Sequence, residues 1–202
     1  MTAGFFWILL AFALFGGLHS LMASRTVKIM VQRRFGVSAL RYYRAAFTLV
    51  AVLTFLPVLV LAARLPDKSI YTIRFPLLML TLLIEFAGLA LAAAGVQQAG
   101  ALPFLGLDVF FNESGTPAKA RLLTAGVYRF IRHPLYTGTL LLLWFTPRMT
   151  WNYLAFNLGA TAYFIIGAYF EDKKLAEDFG AAYQAYQAST PAFLPRWKSL
   201  FK

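Results

Sequence analysis

Four stretches of the chain, residues 4–23, 42–63, 76–96 and 151–170, are almost unbroken apolar runs, none with more than one Asp, Glu, Lys or Arg. A helix of roughly 20 such residues, rising ~1.5 Å per residue, crosses the ~30 Å hydrocarbon core of a bilayer. One soluble core cannot hide four of them in a chain of 202 residues. The composition agrees: 60% of residues are hydrophobic and 13% charged, whereas soluble domains are about half apolar and a quarter charged. An ordinary soluble enzyme, a disordered chain and a nucleic-acid module are excluded, and an all-α integral membrane protein remains. The first run has no basic segment before it and is long for the apolar part of a cleaved signal. It is therefore expected to stay as a span.

A fifth apolar stretch, 134–146, is shorter and covers about two thirds of a bilayer core. With Thr146, Pro147 and Arg148 as the break, it reads as the first arm of a tight hairpin whose second arm is the last run. The expected architecture is a polytopic membrane helix bundle: five transmembrane segments with a C-terminal helical hairpin and a cytoplasmic tail. It is read as a single domain, with 1–100 a three-helix N-terminal part and 101–202 the hairpin and tail.

The net charge of +11 suggests nucleic acid until the charges are placed. Arg25, Lys28, Arg33, Arg34, Arg41 and Arg44 follow the first run, Lys119, Arg121, Arg129 and Arg132 precede the hairpin, and Lys173, Lys174, Arg196, Lys198 and Lys202 lie in the tail. These fifteen fall on one side of the membrane, against Arg64, Lys68, Arg74 and Arg148 on the other. The positive-inside rule then puts the amino terminus outside and the carboxyl terminus in the cytoplasm, with a bacterial inner membrane or an equivalent internal membrane as the site. The surplus sets topology and meets anionic headgroups; no nucleic-acid partner is expected. With no cysteine in the chain, thiolate metal sites and thiol nucleophiles are absent, and no metal is expected.

The chemistry-bearing residues gather around the hairpin. Pro134 sits where a helix starts, since its missing N–H is not needed there. Arg132 and His133 beside a helix amino terminus make a site for an anionic group such as a carboxylate, and Gly126 and Gly138 permit close backbone approach. The bland reading is that Arg132 and His133 anchor topology and Tyr136 belongs to an interfacial belt. Glu171 and Asp172 follow the last run directly. If the hairpin forms, the pair lies near His133, able to hold a cation, an amine or a ribose diol; alone, it would be a solvated pair bridged to Lys173 or Lys174. Tyr183, Tyr186, Pro191 and Pro195, on an amphipathic tail, suit walling a flat ring or lying on the bilayer. The long mixed stretch 101–133, containing Asn112, Glu113, Ser114 and Gly115, has the length of a functional loop.

Taken together, Gly126-x-Tyr128-x3-Arg132-His133-Pro134-x-Tyr136-x-Gly138, the hairpin, the acidic pair, Phe179-Gly180-x2-Tyr183-x2-Tyr186 and the ending at Pro195 resemble the integral-membrane S-adenosylmethionine-dependent methyltransferases. These are the isoprenylcysteine carboxyl methyltransferase and phospholipid N-methyltransferase superfamily. The resemblance covers about 123–195. Leu18 to Ala23, with Arg41-x2-Arg44, more weakly resembles the NnrU-like and methanethiol S-methyltransferase-like branches. The resemblance implies S-adenosyl-L-methionine as cofactor, bound at the cytoplasmic face. Gly126, Tyr128, Arg132, His133, Pro134, Tyr136, Gly138, Glu171, Tyr183 and Tyr186 would line its site, with His133, Glu171 and Arg132 at the chemistry. Arg132 would pair the cofactor's carboxylate, and His133 would orient the cofactor or take a proton from the acceptor. Asp172 departs from the family's second Glu and shortens the reach by one methylene, leaving Glu171 the stronger candidate.

The acceptor would be apolar or small, an isoprenylcysteine-like carboxylate, a lipid amine or a thiol, reaching the site from the bilayer. His19, Glu85 and Arg44 are candidates to line it. Glu85 is a mid-span acid, a functional hypothesis by default, with a protonated acid bonded inside the bundle as its rival. His19 lies toward the cytoplasmic end of the first run, with simple packing as its rival. Three other classes compete. A non-enzymatic NnrU-like accessory protein predicts no cofactor binding. A transporter wants more deep ionisable residues than Glu85. A membrane reductase would want a nicotinamide site, and no Gly-x-Gly-x-x-Gly fingerprint is present.

Overall fold

The computed structural model of the chain describes residues 3–111 and 121–196. The Asn112–Gly115 segment, Lys119, Lys198 and Lys202 lie outside the described residues. In chain order the elements are α1 (Ala3–Ala23), α2 (Arg25–Phe35), α3 (Val37–Arg64), β1 (Ser69–Thr72), α4 (Leu77–Ala99), α5 (Ala101–Leu105), α6 (Asp108–Phe111), a 3-10 turn (Gly126–Arg129), α7 (Pro134–Trp144), β2 (Arg148–Thr150), α8 (Trp151–Phe179) and α9 (Ala181–Ser189). Among the described residues α1, α3, α4 and α8 are long and apolar enough to cross a membrane, while α7 is a shorter apolar helix. The chain is an integral membrane protein built mainly of helices. The all-α expectation gains one short addition: β1 pairs antiparallel with β2, Tyr71 opposite Met149 and Thr72 opposite Arg148.

The chain forms two compact units. The first comprises Met1–Lys68, Gly100–Ala120 and Trp151–Gly159. Its core is aromatic: Phe12 meets Phe156 at 5.1 Å and Phe15 meets Phe55 at 4.9 Å between ring centroids. Asn152, fully buried at the start of α8, donates its backbone N–H to Asp67 Oδ1 (3.0 Å) and its side-chain amide to Leu65 O (2.9 Å). Buried amides need such partners, and these bonds fix where α8 begins. α2, expected only as a basic loop, is a capped helix: Ser24 accepts from Val27 N, and Gly36 ends it at φ 81°.

The second unit comprises Ser69–Ala99, Arg121–Thr150 and Ala160–Lys202. Its centre is the contact between α4 and α7. The buried residues of α4 are Thr81, Gly88, Ala92 and Gly95, all small and at spacings that keep them on one face. In lipid, helices associate through close packing rather than the hydrophobic effect, and small residues let backbones approach. Here they nearly touch: a Cβ built on Gly88 would lie 2.7 Å from Gly138 O, and one on Gly138 would lie 2.6 Å from Ala92 N.

Candidate functional site

The mouth of the second unit is built from the α7 amino terminus, the α8 carboxyl-terminal half, α9 and residues 190–193. Pro134 opens α7 with His133 as its N-cap residue. The backbone N–H of Arg132 donates to Pro191 O (2.9 Å) and that of His133 to Ala192 O (3.1 Å), while Thr137 Oγ1 donates to Phe193 O (3.0 Å). The tail thus closes over the turn by satisfying its backbone donors.

Asp172 is the hub. Its carboxylate accepts from Arg132 Nε (3.4 Å) and Nη2 (2.7 Å), from Gln187 Nε2 (3.4 Å) and from the Tyr183 hydroxyl, and it meets His133 Nε2 at 2.9 Å. Arg132 also donates to Gln187 O (3.2 Å) and to Thr190 O. Four of its five guanidinium N–H donors thus go to protein acceptors. The acidic pair bonds to Arg132 and His133 rather than to Lys173 and Lys174. Sequence reasoning underrated Asp172; its position one residue from Glu171 was the available signal.

Glu171 differs. Its side chain is 46% exposed, against 14% for Asp172 and 3% for His133. Glu171 Oε2 accepts from the Tyr136 hydroxyl (2.9 Å) and lies 3.5 Å from His133 Nδ1. Behind it runs a series of rings: His133 stacks on Tyr136 (5.3 Å, 6°), Tyr136 on Phe164 (5.0 Å, 17°), and Phe193 leans on His133 (5.8 Å). A half-exposed carboxylate over flat rings can take a cation or hydroxyl donors.

The remaining candidates hold the frame. Tyr128 donates its hydroxyl to Gly95 O (3.2 Å), and Tyr186 donates to Tyr128 O (2.6 Å). Gly126, at φ 59°, opens the 3-10 turn where a Cβ would strike the Gln98 side chain, and Val127 N donates to Gln98 Oε1 (3.3 Å). Pro134 and Gly138 pack on α4. Glu85 is half-buried on α4. His19 and Arg44 belong to the first unit: His19 lies between the Phe15 and Phe47 rings (5.5 and 4.6 Å), and Arg44 Nε donates to Phe104 O (3.3 Å).

Burial disfavours the His133 imidazolium, but hydrogen bonds to Asp172 and Glu171 and their charges outweigh it, raising the group from 6.5 to about 9. Burial likewise disfavours charge on Arg132, and its bonds to Asp172 outweigh this and raise it. Burial first, then the Asp172 carboxylate, pushes the Tyr183 phenol up. Burial also pushes Tyr186 up to about 12. Because the folded value for His133 lies above the unfolded 6.5, its stabilising contribution is complete below about pH 6.5 and is lost as pH rises through about 9. Thermal unfolding in detergent is expected to show the wild type more stable than His133→Gln near neutrality, with the gap narrowing as pH rises through about 9. A gap constant with pH would count against a charged His133.

Residues 77–182 match the phospholipid methyltransferase family. Methanethiol S-methyltransferase 2 of Bradyrhizobium diazoefficiens is 35% identical over 115 residues, 56% of this chain and 44% of the relative. Methanethiol S-methyltransferase 1 of the same organism is 30% identical over 195 residues, 94% of this chain and 66% of the relative. Protein-S-isoprenylcysteine O-methyltransferase of Schizosaccharomyces pombe is 24% identical over 217 residues, 95% of this chain and 88% of the relative. The chain spans less than half the length of several methanethiol S-methyltransferases that it matches, 31% of the one from a Pseudomonas strain among them. No solved structure matches the chain. The family match begins with α4, takes in α7 and the acidic pair on α8, and ends at the start of α9, so that it covers just over half of the residues: the chain belongs to the phospholipid methyltransferase family.

Proposed function

We propose that the chain is a membrane methyltransferase that uses S-adenosyl-L-methionine at the mouth formed by α7, α8 and α9. The observation that carries this reading is Glu171. In a cluster where Arg132, His133, Asp172 and Tyr183 are bonded to one another, its half-exposed carboxylate keeps lone pairs for a ligand. A carboxylate accepts at about four positions, and the Tyr136 hydroxyl and His133 Nδ1 occupy part of that capacity. The donor set fits the ammonium or the ribose diol of the cofactor, and the ring series fits a flat, cationic ligand.

When bound, the cofactor supplies a methyl group activated by its sulfonium. Glu171 holds the cofactor's donors, and Tyr136 fixes the Glu171 carboxylate while presenting its ring. His133 is flanked by both acids, whose hydrogen bonds and charges favour its protonated form. In this reading it acts as a positioning residue, the first of the two roles that the resemblance implies. Arg132, Tyr183 and Asp172 hold the tail closed and exclude water, which in-line transfer requires along with alignment. Gly126, Tyr128, Pro134, Gly138 and Tyr186 support these positions.

Five transmembrane segments, with α7 the short fourth, the amino terminus outside and the mouth in the cytoplasm, fit the charge distribution. A small or lipid-like acceptor then enters from the bilayer side. Relatives named methanethiol S-methyltransferase support a small thiol as the first acceptor to try. Calorimetry of the detergent-purified protein with S-adenosyl-L-methionine is expected to show binding that weakens about tenfold in Glu171→Gln, the loss of one exposed charge-assisted contact. No binding by the wild type would overturn the reading. Product screening with methanethiol, a prenylcysteine and phosphatidylethanolamine then separates the acceptors.

A further inference from the structure

α2 lies outside the family match and is not used by the methyl-transfer reading. It joins α1 to α3, two helices that cross the membrane, so it lies where both meet the same surface. Its 11 residues span about 16 Å and include four basic side chains, too short and too charged to enter the bilayer core. Its inner face is fixed on α3: Lys28 Nζ sits 6.0 Å from the centroid of the Tyr43 ring, and the Tyr43 hydroxyl donates to Met22 O (2.5 Å). Val27, Lys28 and Val31 are half-buried there.

The outer face is ordered differently. At ~100° per residue, Thr26, Ile29, Met30, Arg33 and Arg34 fall on one side, and they line one open groove. Ile29 and Met30 are exposed, Met30 at 61%. Residues 1–66 contain no Asp or Glu, so nothing on α1, α2 or α3 neutralises the guanidiniums. Topology alone needs charge at this turn; it does not need two aliphatic side chains interleaved with two arginines on a capped helix. That pattern is the one with which helices lie in the headgroup layer, aliphatic groups toward the acyl chains and guanidiniums on phosphate oxygens.

We propose that the outer face of α2 is a docking surface for anionic phospholipid, with Arg33 and Arg34 holding the phosphate and Ile29 and Met30 seated at the acyl boundary. The surface is independent of the mouth on the second unit, and its test needs no methyl transfer.

Because the chain has no cysteine, Met30→Cys gives a single labelling position on this face. The labelled full-length protein is reconstituted in vesicles of phosphatidylcholine and phosphatidylglycerol, with one or the other brominated as the quencher. Quenching is expected to be stronger from phosphatidylglycerol than from phosphatidylcholine at equal mole fraction. Adding R33Q and R34Q is expected to reduce that preference about fivefold per charge, roughly 25-fold in all. R33K with R34K should keep most of it, and R64Q, at the far end of α3, should leave it unchanged. Equal quenching by the two lipids, a preference that survives R33Q/R34Q, or disulfide-linked dimers of the Met30→Cys chain would each overturn the proposal, the last by placing a second copy on this face.

Discussion

Asp172→Ala is expected to destabilise the protein by about 3 kcal/mol and to abolish cofactor binding, even though the family-like acid Glu171 remains. Asp172 neutralises the Arg132 side chain, 10% exposed, and shares His133, 3% exposed, with Glu171. Removing one partner of a buried pair leaves a charge with neither water nor counter-ion, a loss of about 3–5 kcal/mol; the lower end applies because Asp172 is partly exposed. The bonds lost are also those that bind α8 to Tyr183 and Gln187 on α9. Asp172→Glu keeps the charge but lengthens the arm by one methylene, and should recover much of the stability. Thermal unfolding in detergent, run beside calorimetry with S-adenosyl-L-methionine, checks both parts. An alanine variant that melts like the wild type would show that the hub is not structural.

Gly138→Leu is expected to have the second largest effect, through packing alone. The first added carbon meets the α4 backbone at Ala92 N, 2.6 Å away, and backbone cannot give way as a side-chain tip can. Overpacking of this kind costs about 1–3 kcal/mol, and this site sits at the upper end. α4 and α7 would separate, taking Tyr128 away from Gly95 and the α7 amino terminus away from its place. Loss of monodisperse protein on size exclusion and a lower melting temperature are the readouts. Gly17→Ala is the matched control: no atom lies within 4 Å of the added carbon, and the change should be neutral or slightly stabilising.

The spans were legible because a run of twenty apolar residues is a local property, and Pro134 marked the start of α7 for the same reason. The ends were less so: α3 begins at Val37 rather than 42, and α8 continues to Phe179, well past the acidic pair. The helical state of α2 was signalled by Ser24 and Gly36 as caps, but six basic residues between 25 and 44 drew attention to charge instead. The pairing of Ser69–Thr72 with Arg148–Thr150 joins segments far apart in sequence, and no local pattern encodes it. The same holds at the mouth. That the acidic pair comes near His133 followed from a hairpin; that Arg132 gives bonds to Thr190 O and Gln187 O did not, since carbonyl acceptors carry no residue identity.

The closure of the Arg132–His133 turn by Pro191 and Ala192 has a consequence for synthesis. The partners of this turn leave the ribosome about sixty residues after it does. During that interval every long apolar helix can already be in the bilayer while two cationic side chains and two amides at the mouth still face water. Insertion and competence are therefore separate events: a nascent chain halted before residue 190 is a membrane protein without a closed mouth, and the mouth closes only once translation has supplied Pro191 and Ala192.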